Sequence, residues 1–258
     1  MTDARCGYIM KTEYEMESVP TVRIILCDSY NEISERAAEL IRAQIILKPD
    51  CVLGLATGSS PVGMYDRLAE MNLDFSGVTT FNLDEYYPIS RENDQSYYYF
   101  MQTHLYSRVN LRPENIHIPS GEADDVDAEC REYEEKIQAA GGIDLQVLGI
   151  GMNGHIGFNE PDDSLNTKTH LTDLTESTIT ANSRFFESED DVPKQAITMG
   201  ISTILSAKKI ILLASGKEKR QAISALLRDE INTEIPATML KVHPDVVLIC
   251  DREAYGEE

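Results

Sequence analysis

Long hydrophobic runs are missing from this 258-residue sequence. No stretch approaches ~18 consecutive apolar residues, which excludes a membrane-spanning helix. The N-terminus MTDARCGYIMKTEYEMES has no apolar core of ~7–15 residues, so it does not read as a secretory signal. Positive charge is scarce: 23 Lys+Arg stand against 44 Asp+Glu, a net charge of −21. A surface of that sign repels phosphate backbones and excludes non-specific nucleic-acid binding. It also means that an anionic ligand must be captured by local donors against long-range repulsion. The cysteines (Cys6, Cys27, Cys51, Cys130 and Cys250) are odd in number, scattered, and form no CxxC. That usage points to reduced, buried thiols in a cytoplasmic protein rather than to disulfides or a metal site. No internal repeat, low-complexity tract or linker divides the chain, and its length suits one large α/β domain.

What the sequence does contain is a regular alternation. TVRIILCD (21–28) reads as a buried strand, and Asn31 to Leu47 as a helix with Ile33, Ala37, Leu40, Ile41 and Ile45 on one stripe. CVLGLA (51–56) is the next strand, and Pro61 to Met71 the next helix, with proline in its first turn. VTTFNLD (78–84), IDLQVLGI (143–150), KIILLA (209–214) and VVLIC (246–250) complete the strands, and helices are expected over 96–108, 126–140, 193–206 and 217–228. The expected fold class is α/β: a Rossmann-like, mostly parallel sheet with helices on both faces. Residues 1–20 lack periodicity and read as a flexible tail ahead of a single domain over 21–258. The polar, Thr- and Ser-rich segment 162–191 is too long for a simple connection. It reads as a closing lid, with Phe185 and Phe186 to dock it.

Ligands of open α/β sheets bind beyond the carboxyl ends of the strands, and four polar clusters follow strands here. They are Thr57-Gly58-Ser59-Ser60-Pro61, Asp84-Glu85-Tyr86, the run from Gly151 to His155 that continues to Asn159-Glu160-Pro161, and Ser215-Gly216-Lys217-Glu218-Lys219. The first offers hydroxyls and free N–H groups at a helix start, a ready anion site, with Lys219 and Arg184 as the cations to complete a phosphate pocket. It is no Walker loop, because no Gly-Lys-Ser/Thr follows. Gly149 to Gly154 spell GxGxxG, yet the residues after it make a poor helix, so a dinucleotide site is not expected. Asp84 directly follows an apolar strand, which directs its carboxylate to the cleft. His155 lies between glycines at a strand end, where a ligand can approach closely. His104, within SYYYFMQTHLY, reads as a helix-surface residue.

Leu55-Ala56-Thr57-Gly58-Ser59-Ser60-Pro61, Phe81-Asn82-Leu83-Asp84-Glu85-Tyr86, the run Gly149 to Pro161, and Ala181-Asn182-Ser183-Arg184-Phe185-Phe186 together resemble the glucosamine-6-phosphate deaminase family, over roughly residues 21–251. The resemblance implies conversion of glucosamine 6-phosphate and water to fructose 6-phosphate and ammonia, with no metal or organic cofactor. It implies that Asp84 moves a proton between C2 and C1, and that His155, supported by Glu160 and Asn153, opens the pyranose ring. It further implies that Thr57, Gly58, Ser59, Ser60, Arg184 and Lys219 hold the phosphate. Some members carry Asp where this chain has Asn153. Asn can orient the histidine by hydrogen bonding but cannot offset its charge.

The expected partner is a small amino-sugar phosphate, with no nucleic acid and no membrane; self-association into a homo-oligomer is left open. Rival readings are an enzyme for another amino-sugar phosphate, such as galactosamine 6-phosphate, and a sugar-phosphate sensor. A 6-phosphogluconolactonase would need no Asp84 proton shuttle. A sensor would carry an appended helix-turn-helix and a degraded acid/base set, and neither is present in the sequence. Allosteric members of the family bind N-acetylglucosamine 6-phosphate through a Ser, an Arg and a Lys, where this chain has Asp163, His170 and Thr172. An added carboxylate and two lost cations oppose a phosphate there. The expected kinetics are therefore hyperbolic, and a sigmoidal saturation curve relaxed by that effector would refute the expectation.

Overall fold

A computed structural model describes residues 22–183, 186, 188 and 191–257. The expected tail over 1–20, with Cys6, lies outside the described residues, as do Arg184 and Phe185. The chain runs β1 (Val22–Cys27), α1 (Tyr30–Leu47), β2 (Val52–Leu55), α2 (Val62–Glu70), β3 (Thr79–Asn82), β4 (Asp84–Tyr87) and α3 (Tyr97–His104). It continues through β5 (Ile116–His117), α4 (Val126–Ala139), β6 (Leu145–Gly149), β7 (His170–Asp173), α5 (Glu176–Asn182), β8 (Gln195–Thr198) and α6 (Ile201–Leu205). It ends with β9 (Ile210–Ala214), α7 (Arg220–Leu226), β10 (Val246–Asp251) and α8 (Arg252–Tyr255).

Seven strands form a parallel sheet in the order β1-β10-β9-β6-β2-β3-β5, flanked by helices as the alternation predicts. Its central strands are mainly apolar: Leu53, Val147, Leu148, Ile211, Leu212, Leu248 and Ile249 are all buried. A sheet covered on both faces demands such runs. Helix α1 forms where Ser29 caps its first turn by accepting from the Glu32 N–H, and it buries Ile33, Ala37, Ile41 and Ile45, with Leu40 at the margin. The connection after β2 leads to β3 on one side of the sheet, whereas β9, next in the sheet after β6, lies on the other. The switch point of the topology therefore falls between β2 and β6, where a ligand crevice is expected.

Three sequence expectations are corrected. The span 193–206, expected as one helix, is the strand β8 followed by the short helix α6. Its Ala196, Ile197, Thr198 and Met199 are continuously buried, a pattern a strand and a buried helix share, and antiparallel pairing with β4 decides for the strand. Asp84 does not end the third strand: β3 stops at Asn82, and Asp84 opens β4 of a second, antiparallel sheet ordered β4-β8-β7. The segment 162–191 is not plain loop, because it contains β7 and α5. His170 and Thr172 lie on β7, which among the described residues pairs only with β8 and so forms an edge of this sheet. Packed with it is a cluster of Tyr86, Ile89, Phe158, Leu174 and Ala196, onto which Ile179 and Phe186 dock.

At the opposite end of the parallel sheet from the crevice, buried Asp144 ties three elements. It accepts from Lys208 Nζ at 2.6 Å, Lys48 Nζ at 2.7 Å and the Val52 N–H at 2.8 Å. Burial works against its charge, but these bonds outweigh that and hold the carboxyl below the usual carboxylate range. A folded-state value below the unfolded one gives stability that is present at neutral pH and lost as pH falls through the lowered value. Asp144→Ala should therefore cost about 1–3 kcal/mol in denaturant titrations at pH 7, the scale for hydrogen bonds to a charged group. The gap from the wild type should narrow in acid; a constant gap would show that the loss is one of packing.

Candidate active site

A cavity of about 850 Å³ opens at the carboxyl ends of β2 and β6. One wall is the turn Thr57 to Ser60. Gly58 sits at φ +86°, in the left-handed region that favours glycine. Tyr30 clamps the turn, its phenol donating to the Ser59 carbonyl at 2.9 Å and accepting from the Gly63 N–H at 2.9 Å. Helices α1, α3, α4 and α5 are capped by the side chains of Ser29, Ser96, Asp125 and Thr175, but α2 has Pro61 at that position and no side-chain cap. Its helix dipole and first-turn amides thus meet the cavity without a capping oxygen between. Lys219, at the end of a single 3₁₀ turn after β9, lines the same cavity. The loop before it is fixed by Asp251, which accepts from the Ser215 hydroxyl at 2.6 Å and the Gly216 N–H at 3.0 Å while capping α8 through the Ala254 N–H at 2.8 Å.

Asp84 lines the cavity and is 5% exposed. Burial, reinforced by the neighbouring Glu85 charge, pushes its carboxyl up to about 8. Glu85 points into backbone instead, accepting from the N–H groups of Tyr86 at 2.9 Å, Tyr97 at 2.8 Å and Tyr98 at 2.9 Å. Burial still pushes it up to about 7 against those three bonds. The alternation of side chains along β4 therefore gives one carboxylate to the cavity and the other to the N-terminal turn of α3.

Across the cavity, His155 Nδ1 lies 3.1 Å from Glu160 Oε2. The same oxygen accepts from Asn153 Nδ2 at 2.8 Å, and Glu160 Oε1 accepts from the Thr178 hydroxyl. Burial opposes the Glu160 charge, but the hydrogen bond and charge of His155, with the bonds from Thr178 and Asn153, hold the carboxyl down to about 2. Asn153 does not bond the imidazole as expected. Its Oδ1 accepts from the His155 backbone N–H at 3.2 Å, and its amide donates to the carboxylate, which can only accept. Asn153 thus shapes the loop and orients Glu160, and Glu160 orients the ring. The GxGxxG run has a packing reason: a Cβ on Gly151 would lie 2.4 Å from the His155 ring. No helix follows it.

The fold brings Thr57, Gly58, Ser59, Ser60, Asp84, Asn153, His155 and Lys219 to one cavity, with Glu160 directly behind His155; Arg184 lies outside the described residues. Sequence reasoning missed Tyr30, Tyr97 and Thr178, all on the cavity wall. Tyr30 follows β1, so the strand-end rule could have found it. Tyr97, hydrogen-bonded to Thr57 and Tyr86, sits in a Tyr-rich run with no such signal, and Thr178 is one of many hydroxyls in its segment. Among the described residues no three His, Cys, Asp or Glu side chains converge as a metal-ligand set. The arrangement couples an anion cradle to two acid/base groups of different character: a buried carboxyl with raised proton affinity, and an imidazole backed by an ionised carboxylate. Such a pair can move protons at two positions of one small phosphorylated substrate.

A model of the family described as glucosamine-6-phosphate isomerases/6-phosphogluconolactonase matches residues 28–248. The chain is 58% identical over 237 residues to a glucosamine-6-phosphate deaminase of Halothermothrix orenii, covering 90% of this chain and 98% of that one. It is 55% identical to the glucosamine-6-phosphate deaminase of Thermoanaerobacter pseudethanolicus, over 90% of this chain and 94% of that one. Among solved structures, a monomeric glucosamine-6-phosphate deaminase matches with a TM-score of 0.89 at 46% identity, covering 92% of this chain and all of the other. A 6-phosphogluconolactonase from Thermotoga maritima, at TM-score 0.72 and 23% identity over 89% of this chain and 99% of that one, shares the fold.

Because the folded-state value of Asp84 is raised, the folded protein keeps a proton there that the unfolded chain loses. Stability is thus lost as pH climbs from the ordinary carboxylate range through about 8. Asp84→Asn cannot ionise, so its melting temperature should gain on that of the wild type from about pH 5 up to about pH 8 and level off above that. Parallel melting curves across that window would remove the raised proton affinity.

Proposed function

The chain belongs to the glucosamine-6-phosphate isomerase/6-phosphogluconolactonase family, and we propose that it converts D-glucosamine 6-phosphate and water to D-fructose 6-phosphate and ammonia. The observation that carries this reading is the placement of Asp84, a buried carboxylate on the same cavity wall system as the His155–Glu160 pair and the Thr57–Ser60 turn. Lactone hydrolysis needs no base at carbon, whereas aldose–ketose isomerisation does.

In this reading the phosphate sits on the Thr57–Ser60 amides and hydroxyls with Lys219 and Arg184. His155 takes the proton of the anomeric hydroxyl and returns it to O5 as the C1–O5 bond breaks, and Glu160 stabilises the transient imidazolium. Asp84 then takes the C2 proton and delivers it to C1, while O1 gains the proton that the amino nitrogen loses, which leaves an imine at C2. Water adds to that carbon and ammonia departs, so the atoms of both substrates are accounted for. The ammonium group of an arriving amino sugar is a counter-charge for buried Asp84 and favours the ionised form that the base step requires. Residues 162–191 close over the sugar and keep bulk water from the intermediates. The enzyme is a hydrolase of amino-sugar breakdown, fed from N-acetylglucosamine, in the cytoplasm. The buried thiols of Cys27, Cys51, Cys130 and Cys250 suit that reducing compartment. Among the described residues no helix is long and apolar enough to cross a membrane.

Purified protein mixed with glucosamine 6-phosphate and EDTA should release ammonia and fructose 6-phosphate in equal amounts, with no release from galactosamine 6-phosphate in parallel. Release from the galacto sugar alone would transfer the reading to that substrate, and silence with retained binding would favour a sensor. Asp84→Asn should lower kcat by about 10²–10⁴, the scale for a positioned acid/base, with KM little changed. In the wild type kcat/KM should rise through about pH 8, the Asp84 value in the free protein, and kcat should rise at lower pH.

A further inference from the structure

Glu160 and α5 belong to different parts of the chain: Glu160 closes the loop that carries His155, and α5 lies within the segment 162–191. The Thr178 side chain joins them. Thr178, in the first turn of α5 and 5% exposed, donates its hydroxyl to Glu160 Oε1. The direction of that bond is set locally. Thr175 caps α5 by accepting from the Thr178 N–H at 3.3 Å, and its own hydroxyl lies 3.2 Å from the Thr178 hydroxyl, as donor to it. A hydroxyl has one proton, so with a lone pair of Thr178 engaged by Thr175, the proton that remains goes to the carboxylate.

We propose that Thr178 is a positioning residue: its hydroxyl tethers the lid helix to Glu160 and makes the state of the His155–Glu160 pair depend on where the lid sits. The inference rests on the reading of 162–191 as a lid over an amino-sugar phosphate. With α5 docked, Glu160 shares its charge among the hydroxyl, the Asn153 amide and the imidazole. With α5 withdrawn, Oε1 loses this donor, and Glu160 is no longer held from that side against the imidazole. The ring-opening base is therefore aligned only when the lid is down, which confines proton removal to the closed site. Ile179 of α5 adds an apolar contact, packing on the cluster that holds Tyr86 and Phe158.

Thr178→Val keeps the shape and removes the hydroxyl, and Thr178→Ser keeps the hydroxyl. The Val variant should lose about 10- to 100-fold in kcat, the loss expected when a hydrogen bond to a charged group goes. Its KM should change little, and the Ser variant should restore kcat. In a Glu160→Gln background the same Val substitution should cost far less than it does alone. Hydrogen–deuterium exchange over residues 176–182, which needs no turnover, should rise in Thr178→Val and stay at the wild-type level in Thr178→Ser. Exchange unchanged in the Val variant, a loss carried by KM instead of kcat, or equal losses in Val and Ser would each overturn the tether. Failure of the wild type to turn over glucosamine 6-phosphate would count against the proposed reaction instead, and the exchange experiment would still decide the tether.

Discussion

Within a single residue, Leu83, the chain leaves one sheet and enters another. The Leu83 N–H donates to the Leu55 carbonyl at 2.9 Å, as a continuation of the parallel sheet, and the Leu83 carbonyl accepts from the Met199 N–H at 2.8 Å, as the start of the antiparallel one. Asp84 comes next, at a corner where both sheets shield it from water. The buried carboxylate, the cavity it faces and the crevice between β2 and β6 all follow from that handover. So does the pairing of β4 with β8, which carries Thr198 opposite Asp84 and brings Thr198 Oγ1 within 3.0 Å of the Phe158 N–H. Asp84 and the loop that carries Phe158 are thereby tied to one backbone junction.

The electrostatics of the site run against those of the surface. A chain of net charge −21 disfavours the approach of a sugar phosphate, and it answers with contact-range donors: an uncapped helix start, a glycine turn clamped by Tyr30, and Lys219. Inside the cavity the sign changes purpose. Glu160 is kept charged by three donors, while Asp84 has no such donors and keeps its proton longer. Two carboxyl groups in one site thus take opposite roles because their hydrogen-bond environments differ, not because their chemistry does.

Much of this was legible in the sequence because parallel strands buried on both faces must be apolar runs, and polar residues placed directly after such runs can only lie at the crevice. That logic located Thr57–Ser60, Asp84, His155 and Lys219. It failed where local pattern is degenerate. Gln195-Ala196-Ile197-Thr198 reads equally as a buried helix, and only its partner, β4, makes it a strand. The second sheet escaped notice for the same reason, since β4 hides behind β3 with one residue between them and β7 is a polar edge strand. The role of Asn153 was misread because spacing shows that it is near His155 without showing that its amide faces Glu160. Thr178 could not be chosen among its Ser and Thr neighbours until α5 was placed.

Asp251 serves two masters, as the cap of α8 and as the anchor of the loop that leads to Lys219. Helix α8 is therefore mechanically continuous with the Lys219 wall of the cavity. For anyone building fusions, immobilised enzymes or sensors from this protein, that continuity makes α8 an unsuitable place for strain, and an attractive one for a reporter meant to register occupancy of the pocket.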